Sequence, residues 1–271
     1  MRRPGPMPAL ERELIKTSAY FLQSWRVTSR NALTVFEVVF WPMVSLLSVG
    51  LMTRFLGVSA ETTVFVLVGT LAFSVLQVCQ LDVAYTVLFD MWAKSVRHQF
   101  LAPVRPWHVA LGSWLMGVLR GVTVFVLMAV VSRWAFGVDM AGAGWLSAAS
   151  FLLGLLLSAA GLGLIVAALL LLFGVHAEVT AWSGVSLVLL VCGIYYPVSM
   201  LPEPLATLAT AIPLTYLLEG FRADFGFPPL FSAPWQRGFL LALAYLLGGY
   251  ACFSWAIKRA RRTGMLLKLS D

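Results

Sequence analysis

The 271 residues are 60% hydrophobic and only 11% charged, with a mean hydropathy of +0.88, which leaves too little polar surface to cover a water-soluble globule of this size. A transmembrane β-barrel is excluded as well, because barrel strands alternate apolar and polar residues, whereas the runs here are continuously apolar and rich in Leu, Val, Ala and Gly. The net charge of +7 does not point to nucleic acid, since the basic residues are sorted by loop rather than gathered into a patch.

The N-terminus is not expected to be a cleaved signal: Pro4, Pro6 and Pro8 interrupt it and no apolar core follows the early arginines. Over 8–30, Leu10, Leu14, Phe21 and Trp25 recur near helical spacing while Glu11, Arg12, Lys16, Gln23 and Arg26 take other directions. This predicts an amphipathic helix at the cytoplasmic membrane surface, within an N-terminal unit 1–31. Apolar runs follow at 32–53, 63–89, 107–132, 146–173, 179–200 and 238–257. Each reaches the roughly 20 residues needed to cross about 30 Å of hydrocarbon, which predicts an all-α domain of six spans over 32–257 and a basic tail over 258–271.

Topology follows from charge. Arg2, Arg3, Arg12, Lys16, Arg26 and Arg30 precede the first run, Lys94, Arg97 and Arg105 lie between the second and third, and Lys258, Arg259, Arg261, Arg262 and Lys268 follow the last. The alternate connections hold only Arg54, Arg133, Arg222 and Arg237, so both termini are expected on the cytoplasmic side.

Between the second and third runs stands "FDMWAKSVRHQFLAPVRPWHVALG". Trp92, Val96, Phe100 and Leu101 can share one side of a short helix, with Lys94, Arg97 and His98 elsewhere, and Pro103 and Pro106 turn the chain into the next span. In isolation this cytoplasmic helix reads either as interfacial packing or as a docking element. The fourth run holds Gly154, Ser158, Gly161 and Gly163, small residues that let helices approach closely. Cys79, Cys192 and Cys252 fall within apolar runs and are read as packing residues rather than as a disulfide or metal set. Trp41, Trp92 and Trp107, near span ends, read as members of the interfacial belt.

After the fifth run the sequence "GIYYPVSMLPEPLATLATAIPLTYLLEGFR" breaks its own helix with Pro197, Pro202, Pro204 and Pro213 yet stays apolar. The pieces are too short to cross. Because non-helical backbone is tolerated in hydrocarbon only where it is buried in protein or lines a cavity, the expectation is a re-entrant hairpin over 197–222 in the outer leaflet, with Glu219 and Arg222 at its exposed end.

Tyr195, Tyr196 and Pro197, then Leu201, Pro202 and Glu203, then Pro213, Leu214, Thr215, Tyr216, Glu219 and Arg222 form a spaced pattern that resembles the signature of the membrane subunits of type 2 ABC exporters. "FLAPVRPWHVALG" over 100–112 is similar to that family's segment after its cytoplasmic coupling helix, and Ile212 stands where many relatives carry Asn. The resemblance implies a permease in the cytoplasmic (inner) membrane that pairs with a second permease subunit, expected to be an identical copy. Two cytoplasmic ATPase subunits would bind the ATP and Mg, and this chain would hold no cofactor. It implies a coupling loop over 90–106 in which Asp90, Lys94, Arg97, Phe100 and Leu101 meet the ATPase, and an outer gate formed by Tyr195, Tyr196, Pro197, Pro213, Glu219 and Arg222. Its substrates would be amphipathic: a lipid-linked glycan or polysaccharide, a lipid, or a hydrophobic drug. The residues agree independently on one point, for none of Lys16, Lys94, Lys258 and Lys268 is preceded by Gly, so the chain has no phosphate-binding loop of its own.

Glu37, Asp82 and Arg120 are costly within spans and are candidates for function. Counted at about 1.5 Å per residue, Arg120 lies roughly 20 Å from Trp107 and Asp82 roughly 15 Å from Trp92, so the two can meet as an ion pair or line a polar cavity. Glu37 is near enough to the cytoplasmic end to snorkel. A proton-coupled carrier using Asp82 and Glu37 as relays is the competing reading. An intramembrane enzyme is disfavoured, because His98, His108 and His176 form no His-Glu-x-x-His pair.

Overall fold

The computed structural model describes residues 8–30, 32–92 and 104–262, and among these every regular element is helical. They are α1 (Ala9–Arg30), α2 (Ala32–Phe55), α3 (Ala60–Trp92), α4 (Pro106–Phe136), α5 (Trp145–Phe173), α6 (Glu178–Val191), α7 (Glu203–Ala209), α8 (Pro213–Ala223) and α9 (Pro234–Arg262), with short 3-10 turns at Gly174–Ala177 and Val198–Met200. Helices α2, α3, α4, α5 and α9 are long and apolar enough to cross a membrane. The protein is an all-α, multi-pass membrane protein.

The fifth apolar run behaves differently from the others. Its helix α6 has 14 residues, about 21 Å of rise, and stops at Val191. Gly193 then takes a left-handed φ of +69°, a conformation that releases the chain from the helix at little cost only for glycine, and Pro197 prevents its resumption.

Helices α3 and α5 form the centre, where α5 packs most extensively on α9 and α3, and α4 closes the other side of α3. Lipid tails are as apolar as the side chains, so association depends on close van der Waals contact rather than on escape from water. The small residues of α5 supply that contact, as the sequence predicts. A Cβ at Gly161 would stand 2.6 Å from the Tyr245 carbonyl carbon on α9, and one at Gly249 would stand 2.5 Å from the Gly161 carbonyl oxygen. Gly154 is closed by Leu217 of α8 and Gly163 by Val83 of α3 in the same way. Phe151 of α5 stacks on Phe221 of α8 at 4.3 Å between ring centres, both rings fully buried. Cys79 and Cys192 are buried free thiols in this packing, and Cys252 is an exposed one. Apolar side chains left outward, such as Phe40 and Trp41 on α2, Val126 and Val130 on α4 and Leu240 and Leu247 on α9, form the perimeter of a body surrounded by lipid.

Helix α1 forms over the predicted residues, and its apolar Leu10, Leu14 and Trp25 are exposed. It is not a detached surface helix. Glu13 meets His108, Thr17 and Tyr20 cover Gly112, and Thr28 meets Arg120, so contacts advance together along both chains and α1 runs beside the first half of α4 in the same direction.

Candidate functional site

Three groups of polar side chains hold the body together at places where a helix bundle in lipid has nothing else to satisfy them. The first lies beyond α6. Arg222, on α8, is 2% exposed; its Nη1 donates to the Gly193 carbonyl at 2.8 Å, and its Nη2 donates to the carbonyls of Ile194 at 2.8 Å and Phe65 at 3.0 Å. The guanidinium also lies over the Phe65 ring, 3.4 Å from its centroid. Gly193 and Ile194 lie just past the C-cap of α6, where the backbone has left the helix and has no ladder partner, so a buried arginine there satisfies their carbonyls and faces the negative end of the helix. Gly69 makes the approach possible, since a Cβ there would stand 2.8 Å from the Ile194 carbonyl carbon and 2.9 Å from Arg222 Nη2.

The neighbouring motif residues do similar work. Pro213 occupies the first turn of α8, where its missing N–H costs nothing. Thr215 Oγ1 donates to the Ala209 carbonyl at 2.8 Å and Tyr216 Oη to that of Thr210 at 3.1 Å, which ties the end of α7 to the start of α8. Glu219, 9% exposed, accepts the Leu230 N–H at 2.8 Å, while Tyr196 Oη donates to the Leu190 carbonyl. Tyr195 and Pro197 are half-buried beside them. The expectation that Glu219 and Arg222 mark an exposed end is therefore corrected: both are buried, because irregular backbone in an apolar setting needs internal partners for its polar groups.

The second group is the one the helical rise anticipates. Arg120 of α4 pairs with Asp82 of α3 through Nη1 and reaches Thr28 of α1 through Nη2. Thr28 in turn donates to the Ser24 carbonyl at 2.9 Å, so three helices share one charge pair. This arrangement commits Asp82 to a cation and leaves it poorly placed as a proton relay. Glu37, its supposed partner in that role, is exposed on α2.

The third group joins α1 to α4. His108 is fully buried; its Nδ1 accepts the Arg105 N–H at 2.9 Å, which leaves Nε2 to donate to Glu13 Oε2 at 2.9 Å. Lys16, 3.0 Å from Glu13 Oε1, does most to hold that carboxyl below its usual range, and the hydrogen bond to His108 adds to it. Sequence does not mark this pair, because its members are 95 residues apart and Glu13 belongs to no motif that would point to His108.

Of the residues assigned to the coupling loop, Lys94, Arg97, Phe100 and Leu101 lie outside the described residues. Asp90 lies in the last turn of α3 at 3% exposure and accepts a hydrogen bond from Gln23 of α1 at 3.3 Å. Its carboxyl is buried against α1. Among the described residues no group of three His, Cys, Asp or Glu side chains is arranged to hold a metal ion.

Comparison with known proteins adds two findings. The family model described as "ABC-2 type transporter" matches residues 15–225. The chain is also similar to an uncharacterized protein of Archaeoglobus fulgidus, 36% identical over 55 residues that make up 20% of this chain and 86% of that protein.

Proposed function

Because the chain belongs to the ABC-2 type transporter family and is the permease subunit of an ABC exporter powered by a separate ATPase, we propose that its outward path is gated by the segment from the end of α6 to the end of α8. In this reading α6 with the turn after it serves as the fifth of six crossings. The 197–222 segment dips into the outer leaflet and returns, with Tyr195, Tyr196, Pro197, Pro213, Glu219 and Arg222 as its working parts. Both termini are cytoplasmic, and two copies of this chain enclose the path in the inner membrane.

The observation that carries the proposal is the Arg222 clamp. One buried side chain joins the broken end of α6, the outer part of α3 and helix α8, so these three move together or separate together. Energy enters at the opposite end, through the 90–106 segment. Phe100 and Leu101 fill a groove on the ATPase, Lys94 and Arg97 orient on its rim, and Asp90 fixes the start of the segment against α1. The cargo is amphipathic and travels from the cytoplasmic side outward. A lipid-linked glycan or polysaccharide, a lipid and a hydrophobic drug all fit a path between apolar helices.

The test is affinity purification of the tagged protein in mild detergent, with mass spectrometry of copurifying chains and an ATPase assay. Two permease copies with two copies of an ATPase subunit are expected. Phe100→Asp with Leu101→Asp should leave a folded, inserted permease that no longer recovers the ATPase; normal recovery would remove the docking assignment.

A further inference from the structure

A cavity of about 170 Å³ opens between the last turn of α2, the first turn of α3 and the end of α4, lined among others by Arg54, Ala60, Thr63, Val64, Phe136 and Val138. Its walls are mostly apolar, and the polar groups in them are largely spent. Thr63 Oγ1 donates to the Ser59 carbonyl at 3.1 Å, and the Val138 N–H is taken by the Ser132 carbonyl at 3.2 Å. Arg54 is the exception. Its Nη2 donates to the Ala135 carbonyl and its guanidinium lies 5.2 Å from the centroid of the Phe136 ring, but among the described residues it meets no carboxylate, Glu61 in the first turn of α3 included. The rest of its planar fork of N–H groups is left to donate.

This arginine is held at the cavity wall. The Phe136 ring fills the space beside Gly50, where a Cβ would stand 2.1 Å from it, so α2 and α4 close around the ring, and the ring and the Ala135 carbonyl fix the guanidinium. The other arginines of the same connections are engaged. Arg133 lies 3.3 Å from Asp139, Arg237 donates to Ser232 at 3.0 Å, and Arg222 is buried on its three carbonyls.

The surroundings select the kind of anion. Arg54 stands in the last turn of a helix long enough to cross a membrane, and Leu51, Met52 and Phe55 beside it are 58%, 51% and 88% exposed. A guanidinium there sits at headgroup depth with acyl chains against the same turn, and its fork matches phosphate oxygens.

We propose that Arg54 and this cavity hold the phosphodiester of an anionic phospholipid, a resident lipid that bridges the ends of α2, α3 and α4. The phosphate enters against the guanidinium, and the acyl chains run along the outward apolar side chains of α2. No lining residue belongs to the 90–106 or 197–222 segments, so this lipid is a fixed component and not cargo.

The experiment uses the full chain, delipidated in mild detergent. Its thermal midpoint is followed while phosphatidylglycerol or phosphatidylcholine is added back, and native mass spectrometry counts the lipid each chain retains. Phosphatidylglycerol should stabilise at concentrations about tenfold lower than phosphatidylcholine. Arg54→Gln should abolish that preference. Ala60→Phe, which fills the cavity and leaves Arg54 in place, should weaken retention about fivefold or more, and Arg237→Gln, in the first turn of α9, should bind as wild type does. Each variant is compared with itself with and without lipid, so a lower starting stability does not imitate the result. Equal response of the wild type to both lipids, or a preference that survives Arg54→Gln, would overturn the site. Unchanged retention in Ala60→Phe would overturn the role of the cavity, and protection by soluble glycerol phosphate equal to that by the lipid would overturn the lipid as its occupant.

Discussion

Arg222 Nη1 donates to the carbonyl oxygen of Gly193 at 2.8 Å, so a charge on α8 closes the end that α6 leaves open. The same guanidinium holds Ile194 and Phe65; the Phe65 carbonyl stands within α3, but those of Gly193 and Ile194 lie past the end of α6, outside any helix ladder. Arg222→Met should therefore cost about 3 kcal/mol or more, since buried acceptors that lose a charged donor are left unsatisfied. Arg222→Lys should recover only part of this, because an ammonium cannot reproduce the planar fork. The thermal midpoint of the detergent-solubilised protein is the readout, and a lysine variant equal to wild type would show that charge alone suffices.

Gly69 and Arg222 act on one contact, so their losses should not add. A methyl at Gly69 displaces the Ile194 carbonyl and with it the guanidinium. Gly69→Ala and Arg222→Met together should cost clearly less than the sum of the two alone, by about 1 kcal/mol or more in a double-mutant cycle. Additivity within about 0.5 kcal/mol would separate the two residues.

Asp82→Asn leaves the Arg120 charge without its counter-ion and should lower the yield of monodisperse protein and its thermal midpoint, by the equivalent of about 3 kcal/mol. Adding Arg120→Gln should restore part of the loss, as two neutral amides can pair. Independent, additive losses from the two changes would mean that the pair is not a structural unit.

The Glu13 carboxyl titrates below its ordinary value near 4.5 because Lys16 and His108 favour its charged form. A folded-state pKa that is depressed contributes stability fully above the unfolded value and loses it as pH falls through the folded one. The difference in thermal midpoint between wild type and Glu13→Gln should be present at pH 7, begin to close below about 4.5 and vanish at lower pH. A difference that persists unchanged into acid would show that the substitution acts through packing.

Gly161→Val should prevent α5 and α9 from closing, because the neighbours of the added atoms are the backbone of Tyr245 and Leu246, which cannot move aside as a side chain can. Gly248→Ala, one residue from the same seam but with nothing within 4 Å, should be tolerated. Extraction as an intact, monodisperse species distinguishes the two outcomes.

Much of this protein is a local property of its chain. Long apolar runs with few charges form helices in lipid, the prolines after the fifth run break it into short pieces, and the glycines of α5 announce a close crossing before its partner is known. Even the meeting of Asp82 with Arg120 follows from helical rise on antiparallel neighbours. Other features depend on which backbone comes to rest beside a side chain. Arg222 and Glu219 look like the polar tip of a loop, yet the carbonyls that bury Arg222 lie 28, 29 and 157 residues away. The run over 179–200 is apolar enough for a full crossing, yet its helix ends at Val191, where Gly193 takes a positive φ and Arg222 stabilises the broken end. Helix α1 looks like a surface helix by period, and only its contacts with His108, Gly112 and Arg120 set it along α4. Hydropathy and period decide that a segment is helical and in lipid; the pairing of buried charges and orphan carbonyls is decided by tertiary structure, because their partners are distant in sequence and have no periodicity to reveal them.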